Sequence, residues 1–120
     1  MDITEAVTAY GAAWNETDDA KRRAFLEQSF AADGVYMDPT GRADGRDALV
    51  AHIGGFQAMM PGHTIDNASG VDVHDNVFRF AWTMKNGTEV ALEGMDFGEI
   101  ADDGRISRIV GFFGPFPPAP

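Results

Sequence analysis

The chain has 120 residues, 44% of them hydrophobic and including nine Phe, two Trp and six Met, enough for one domain with a real core but too few for two. Nineteen acidic residues against nine basic ones leave a formal net charge of -10 at pH 7, which repels nucleic acid phosphates and anionic membrane surfaces. The absence of cysteine excludes a disulfide framework, a thiolate nucleophile and a Cys-ligated zinc site. The opening Met1-Asp2-Ile3-Thr4-Glu5 has none of the basic and apolar regions of a signal peptide, so a cytoplasmic protein is expected.

Ile3, Val7, Tyr10 and Trp14 recur at helical spacing, behind a capping-box-like pair of Asp2 and Glu5, and predict a first helix with Tyr10 facing inward. Thr17-Asp18-Asp19 can cap a second helix carrying Phe25 and Leu26, with Ala32-Asp33-Gly34 as the turn that ends it. Val35 to Asp38 reads as a short strand stopped by Pro39, with Tyr36 and Asp38 on one face. Thr40 to Gly45 reads as loop. Leu49, Ile53, Phe56 and Met60 then give a third helix up to Pro61-Gly62, interrupted by Gly54-Gly55, a pair that implies close packing, a kink or a shifted boundary.

In the second half the period changes to two, and strands are expected near 64–74, 77–85, 89–100 and 105–113. Phe78, Phe80, Trp82 and Met84 alternate with Arg79, Ala81, Thr83 and Lys85, and Asp75-Asn76, Asn86-Gly87 and Asp103-Gly104 stand where hairpin turns are needed. Helices followed by hairpin-linked strands predict an α+β domain over 1–120, its helices gathered on one side of a mainly antiparallel sheet. The prolines of residues 114–120 cannot continue a central strand; this tail is expected over a sheet edge or a partner subunit.

Three residues could carry chemistry. Asp96 shares a strand face with Val90 and Leu92; it reads as a desolvated carboxyl with a raised pKa, as an ion-pair partner of Arg79 or Arg108, or as a residue of a sheet so twisted that the alternation misleads, since Met95 and Phe97 are apolar too. Asp38, just before Pro39, reads locally as an Asx-type turn residue, although such a position can also aim a side chain into a cavity. Tyr10 on its own reads as a core tyrosine with a satisfied hydroxyl. His52 lies one position from the third helix's apolar stripe and can border a pocket, whereas His63 and His74 with Asp72 form no persuasive metal set. No GxSxG, Walker-type or GxGxxG pattern is present, so covalent serine chemistry and nucleotide binding have no support.

Tyr10-Gly-Ala-Ala-Trp-Asn15, Tyr36-Met-Asp38-Pro39-Thr-Gly41, Gly45-Arg46-Asp47-Ala48-Leu49, Gly94-Met95-Asp96-Phe97 and Gly111-Phe112-Phe113-Gly114 together resemble the NTF2-like superfamily, in its SnoaL-like and ketosteroid-isomerase-like branch, nearly end to end. The resemblance implies a cone-shaped fold of three helices on a curved sheet around an apolar pocket. Trp14, Tyr36, His52, Phe56, Phe80, Trp82 and Phe113 are expected to line that pocket. It further implies Asp38 as general base, with Tyr10 and a neutral Asp96 as donors to a substrate oxygen. The activity that follows is proton transfer through an enolate on a small hydrophobic carbonyl compound, without cofactor or metal. Alternatives are a SnoaL-like polyketide cyclase or a non-catalytic ligand-binding or dimerisation module. A homodimer is expected, and no nucleic acid or membrane partner.

Overall fold

The computed structural model describes residues 2–120; Met1, the first residue of the expected 1–120 domain, lies outside them. Helix α1 (Ile3–Asn15) starts where the Asp2 side chain accepts a hydrogen bond from the Glu5 amide, and it buries Val7, Tyr10 and Trp14. Helix α2 (Asp19–Ser29) starts in the same way, with Asp18 accepting from Lys21 N at 3.0 Å. It stops at Ser29, earlier than the expected turn at Ala32–Gly34. The next residue, Phe30, is fully buried and already begins strand β1 (Phe30–Asp38). Asp33 and Gly34 are absorbed within that strand, where its register against the last strand shifts between Phe30 and Val35. Burial of Phe30 therefore outweighs the local turn signal.

The stretch expected as loop, Thr40 to Gly45, contains strand β2 (Gly41–Asp44), which pairs antiparallel with β1 through Asp38↔Gly41 and Val35↔Asp44. Pro39 and Thr40 reverse the chain in two residues, and Gly45, at φ 92, releases it into α3 (Arg46–Met59). Gly54 gives α3 close packing without ending it: a Cβ there would stand 3.1 Å from the Arg22 guanidinium. Arg22 is buried and donates to Glu16 O and to Gln57 Oε1. Gln57 in turn donates to the carbonyls of Trp14 and Glu16. One buried cation thus ties the three helices together at one end.

Strands β3 (His63–Asn67), β4 (Asp72–His74), β5 (Val77–Asn86), β6 (Glu89–Ile100) and β7 (Ile106–Phe113) follow. The single strand expected over 64–74 is broken at 68–71 because the Ser69 hydroxyl, not the backbone, accepts the Ala81 amide proton at 2.8 Å. The seven strands run in the order β2-β1-β7-β6-β5-β3, with β4 also on β5; only β1 and β7 are parallel. This mixed, mostly antiparallel sheet is curved and does not close. The edge strand β3 is held to α1 by Asn15, whose side-chain amide donates to Ile65 O at 2.7 Å and accepts from Ile65 N at 2.8 Å, replacing a missing neighbouring strand.

Phe78, Phe80, Trp82 and Met84 form the buried face of β5, packed with Val7, Tyr10, Leu26 and Ile53 from the helices. Fully burying each large apolar side chain stabilises the domain by about 1.5–3 kcal/mol. After Gly114 N donates to Glu93 O, residues 114–120 are exposed, Phe116 at 97%, so the tail packs on no sheet edge of this chain. Among the described residues no helix is long and apolar enough to cross a membrane.

Candidate functional site

A cavity of about 570 Å³ lies between the helices and the concave side of the sheet. Its polar end is built from three elements. Asp38 closes β1, and the turn that follows fixes it, because Oδ1 accepts from both Thr40 N (2.7 Å) and Thr40 Oγ1 (2.6 Å). The local reading of Asp38 as an Asx-type turn residue therefore describes one of its oxygens. The other, Oδ2, accepts from the Tyr36 hydroxyl at 2.5 Å and lies 3.7 Å from His52 Nε2, an α3 residue. Burial opposes the charge on Asp38, but the nearby His52 ring and the donors Thr40 and Tyr36 outweigh it and hold the carboxyl well below the usual range.

Asp96, in the middle of β6, meets the opposite surroundings. It is 6% exposed, and Oδ1 accepts from Trp82 Nε1 at 3.0 Å, its one hydrogen bond from a protein side chain. Burial pushes its pKa up to about 7, and the negative Asp38 adds to the rise, while the Trp82 donor only partly counters it. The ion pairs open to it on sequence grounds are not made: Arg79 donates instead to Asp72 at 2.9 Å. Its expected face also needs correction. Leu92 lines the cavity, but Val90 is 49% exposed, because the β5–β6 register shifts between Met84 and Lys85 and breaks the alternation.

Gly111 of β7 pairs with Asp96 across the sheet, and a Cβ at this glycine would lie 3.0 Å from Asp96 Oδ1 and 3.3 Å from Asp38 Cβ. The two acids thus lean toward each other across the one residue that has no side chain. Tyr10, 2% exposed on α1, completes the end. Its hydroxyl is fully buried without a hydrogen-bond partner, in contrast to the satisfied core tyrosine expected from local sequence. Burial first, then the charge of Asp96, keeps it protonated far above its ordinary range. A buried unpaired hydroxyl costs about 1–3 kcal/mol, and here it stands in the wall of a ligand-sized space.

Trp14, Tyr36, His52, Phe56, Phe80, Trp82 and Phe113 line the same cavity as Tyr10, Asp38 and Asp96. The rings contact one another: Trp14 meets Tyr36, His52 and Phe56 at centroid distances of 5.5, 6.2 and 5.7 Å, and Trp82 meets Phe113 edge-on at 5.7 Å. Residues not singled out from sequence complete the wall: Thr40, Ile65, Asn67, Met59, Met60 and Met84. Thr40 could have been found from its place two residues after Asp38 in a turn, and Met60 and Met84 from their places on the apolar stripe of the expected third helix and the apolar face of β5; Met59 carries no such signal. No lysine or arginine contributes to the wall. Among the described residues no cluster of three or more His, Cys, Asp or Glu could hold a metal ion.

Three helices closing an open, curved sheet over a cavity of this kind define the NTF2-like class of pocket proteins. A family model of the SnoaL-like domain matches residues 7–109, and the chain belongs to the SnoaL-like family. A proposed isomerase of that family from Agrobacterium tumefaciens is similar in structure, with a TM-score of 0.86 and 31% identity over 92% of this chain and 95% of that one. A proposed polyketide cyclase from Sinorhizobium meliloti superposes with a TM-score of 0.69 at 18% identity, covering 88% and 92% of the two chains. An NTF2-like protein from Cytophaga hutchinsonii gives 0.72 at 10% identity over 96% and 92%. The last two are likenesses of fold alone. No curated protein matches the sequence.

Proposed function

We propose that this protein is a cofactor-independent enzyme that moves a proton next to a carbonyl group on a small hydrophobic compound, through an enolate. The observation that carries this reading is the pair of carboxyl groups flanking Gly111, one held ionised and the other with its pKa raised to about 7. Acids pushed apart in this way divide the roles of base and donor, the logic used by ketosteroid isomerase. Asp38 takes the proton from carbon, while the Tyr10 hydroxyl and neutral Asp96 donate to the oxygen on which negative charge develops. A ligand filling the cavity displaces water from Asp38 and strengthens it as a base. The name isomerase carried by the Agrobacterium tumefaciens relative is in keeping with this chemistry.

The test is isomerisation of a β,γ-unsaturated ketone, 3-cyclohexen-1-one, followed by ultraviolet absorbance of the conjugated product. Asp38→Asn keeps the shape and removes the base, so the expected loss in kcat is on the order of 10²- to 10⁴-fold. Equal rates in the two proteins would rule out Asp38 as the base.

A further inference from the structure

Outside the roles just assigned, the cavity wall holds an imidazole, that of His52. It comes from α3, across the cavity from the sheet residues, and its Nε2 stands 3.7 Å from Asp38 Oδ2. Tyr36 and Trp14 flank the ring, at centroid distances of 5.2 and 6.2 Å, and fix its plane. Neither ring nitrogen has a hydrogen-bond partner within 3.5 Å among the described residues, and the side chain is 23% exposed. His52 therefore touches the base on one side and solvent on another.

We infer that His52 is a proton relay for Asp38, receiving the proton that Asp38 removes from carbon and exchanging it with solvent. This inference rests on the proton-transfer reading above. In the first step the C–H bond next to the carbonyl breaks, its proton bonds to Asp38 Oδ2, and the electron pair passes into the enolate. In the second the new O–H bond breaks, its pair stays on the carboxylate, and the proton bonds to Nε2 of neutral His52, which becomes imidazolium. The reverse path through Asp38 returns a proton to the enolate at another carbon. Loss of the proton from the exposed ring to water, and uptake of another, exchanges it.

The surroundings of Asp38 favour this division. Thr40 supplies two donors to Oδ1 and Tyr36 one to Oδ2. All three stabilise the ionised form, so a proton rests poorly on the carboxyl. Imidazoles as a class hold protons more readily than carboxylates.

The experiment runs the 3-cyclohexen-1-one reaction in deuterium oxide with wild type, Asp38→Asn and His52→Gln, reading kcat and the deuterium content of the product by mass spectrometry. Glutamine keeps a polar contact to Asp38 but cannot carry a proton. The expected result for His52→Gln is a product that retains its original proton, with deuterium incorporation lost relative to wild type. Deuterium content equal to wild type, whatever the rate, would overturn the relay and leave the proton-transfer reading standing. No turnover by wild type, or equal turnover by Asp38→Asn, would overturn both. Should His52→Gln fail to fold, the imidazole ¹⁵N resonances of His52 decide: Asp38→Asn moves the Nε2 resonance if the pair exists, and an unmoved resonance overturns it.

Discussion

The turn after β1 and the middle of β6 each place an aspartate at the same cavity, and the two are opposites. Asp38 sits where the chain reverses, so free backbone and hydroxyl donors converge on it, three hydrogen bonds in all. Asp96 sits within a strand whose amides are already committed to the ladder, and the one side-chain donor that reaches it is the Trp82 indole. Burial acts on both. Donors overcome it at the turn and not in the strand, so one acid is charged and its neighbour resists charge. The protonation state of a buried acid is set by how many donors its backbone context leaves free, not by its residue type.

The comparison breaks most sharply at Tyr10, on the Asp96 side. Tyr10→Phe removes a hydroxyl that no protein group satisfies, so thermal stability is expected to hold or rise by about 1 kcal/mol. The same change lowers kcat on the order of 10²-fold, as for loss of an oxyanion donor. A stability gain with full activity would make Tyr10 a core residue only.

Next comes the pH dependence of folding. In the unfolded chain Asp96 ionises near 3.8, in the folded protein near 7, so between these values the folded state binds more protons. Stability from this group is then complete below about pH 4, falls as pH rises toward 7, and levels off above. Asp96→Asn should remove a slope of roughly 1.4 kcal/mol per pH unit, measured by urea melts across that window. Asp38 runs the other way, since its stabilisation is present above its ordinary value of 3.8 and lost as pH falls below it. Catalysis should follow Asp96: kcat falls as pH rises past 7, with no acidic limb from Asp38 above pH 4. A slope unchanged in Asp96→Asn would show that Asp96 titrates normally.

The smallest effect is expected between the two acids. Gly111→Ala inserts a methyl group 3.0 Å from Asp96 Oδ1 and 3.3 Å from Asp38 Cβ, an overpacking that costs about 1–3 kcal/mol. By separating the acids it weakens their coupling, so the alkaline limb of kcat shifts to lower pH. A variant as stable as wild type, with the same pH profile, would show that the acids do not depend on their approach across Gly111.

Most elements were legible because their signals are local. Asp2 and Asp18 cap their helices as their positions imply, and the 3.6-residue stripe of Val7, Tyr10 and Trp14 and the alternation of Phe78 to Met84 are each buried as a unit. Strand β1 starts at Phe30, not Val35, because β7 and the core, distant in sequence, supply pairing and burial that no local window contains, and β2 replaces a loop because it pairs back on β1 across Pro39 and Thr40. The register shift that turns Val90 outward is equally invisible in a strict alternation.

At the site, residue types and their places on each element could be read from the chain: an aspartate before a proline, a tyrosine on an apolar helix stripe, an acid inside a strand. Only the tertiary structure decided what surrounds them. The Asp38 carboxylate meets His52 of a helix that follows it in the chain, Trp82 is the donor to Asp96, and Gly111 lets the two acids lean together. Sequence determines which groups each element can present, since caps, periods and turns act over a few residues. Ionisation and pairing depend on desolvation and on donors brought from elsewhere in the chain, and these exist only once the helices close over the sheet.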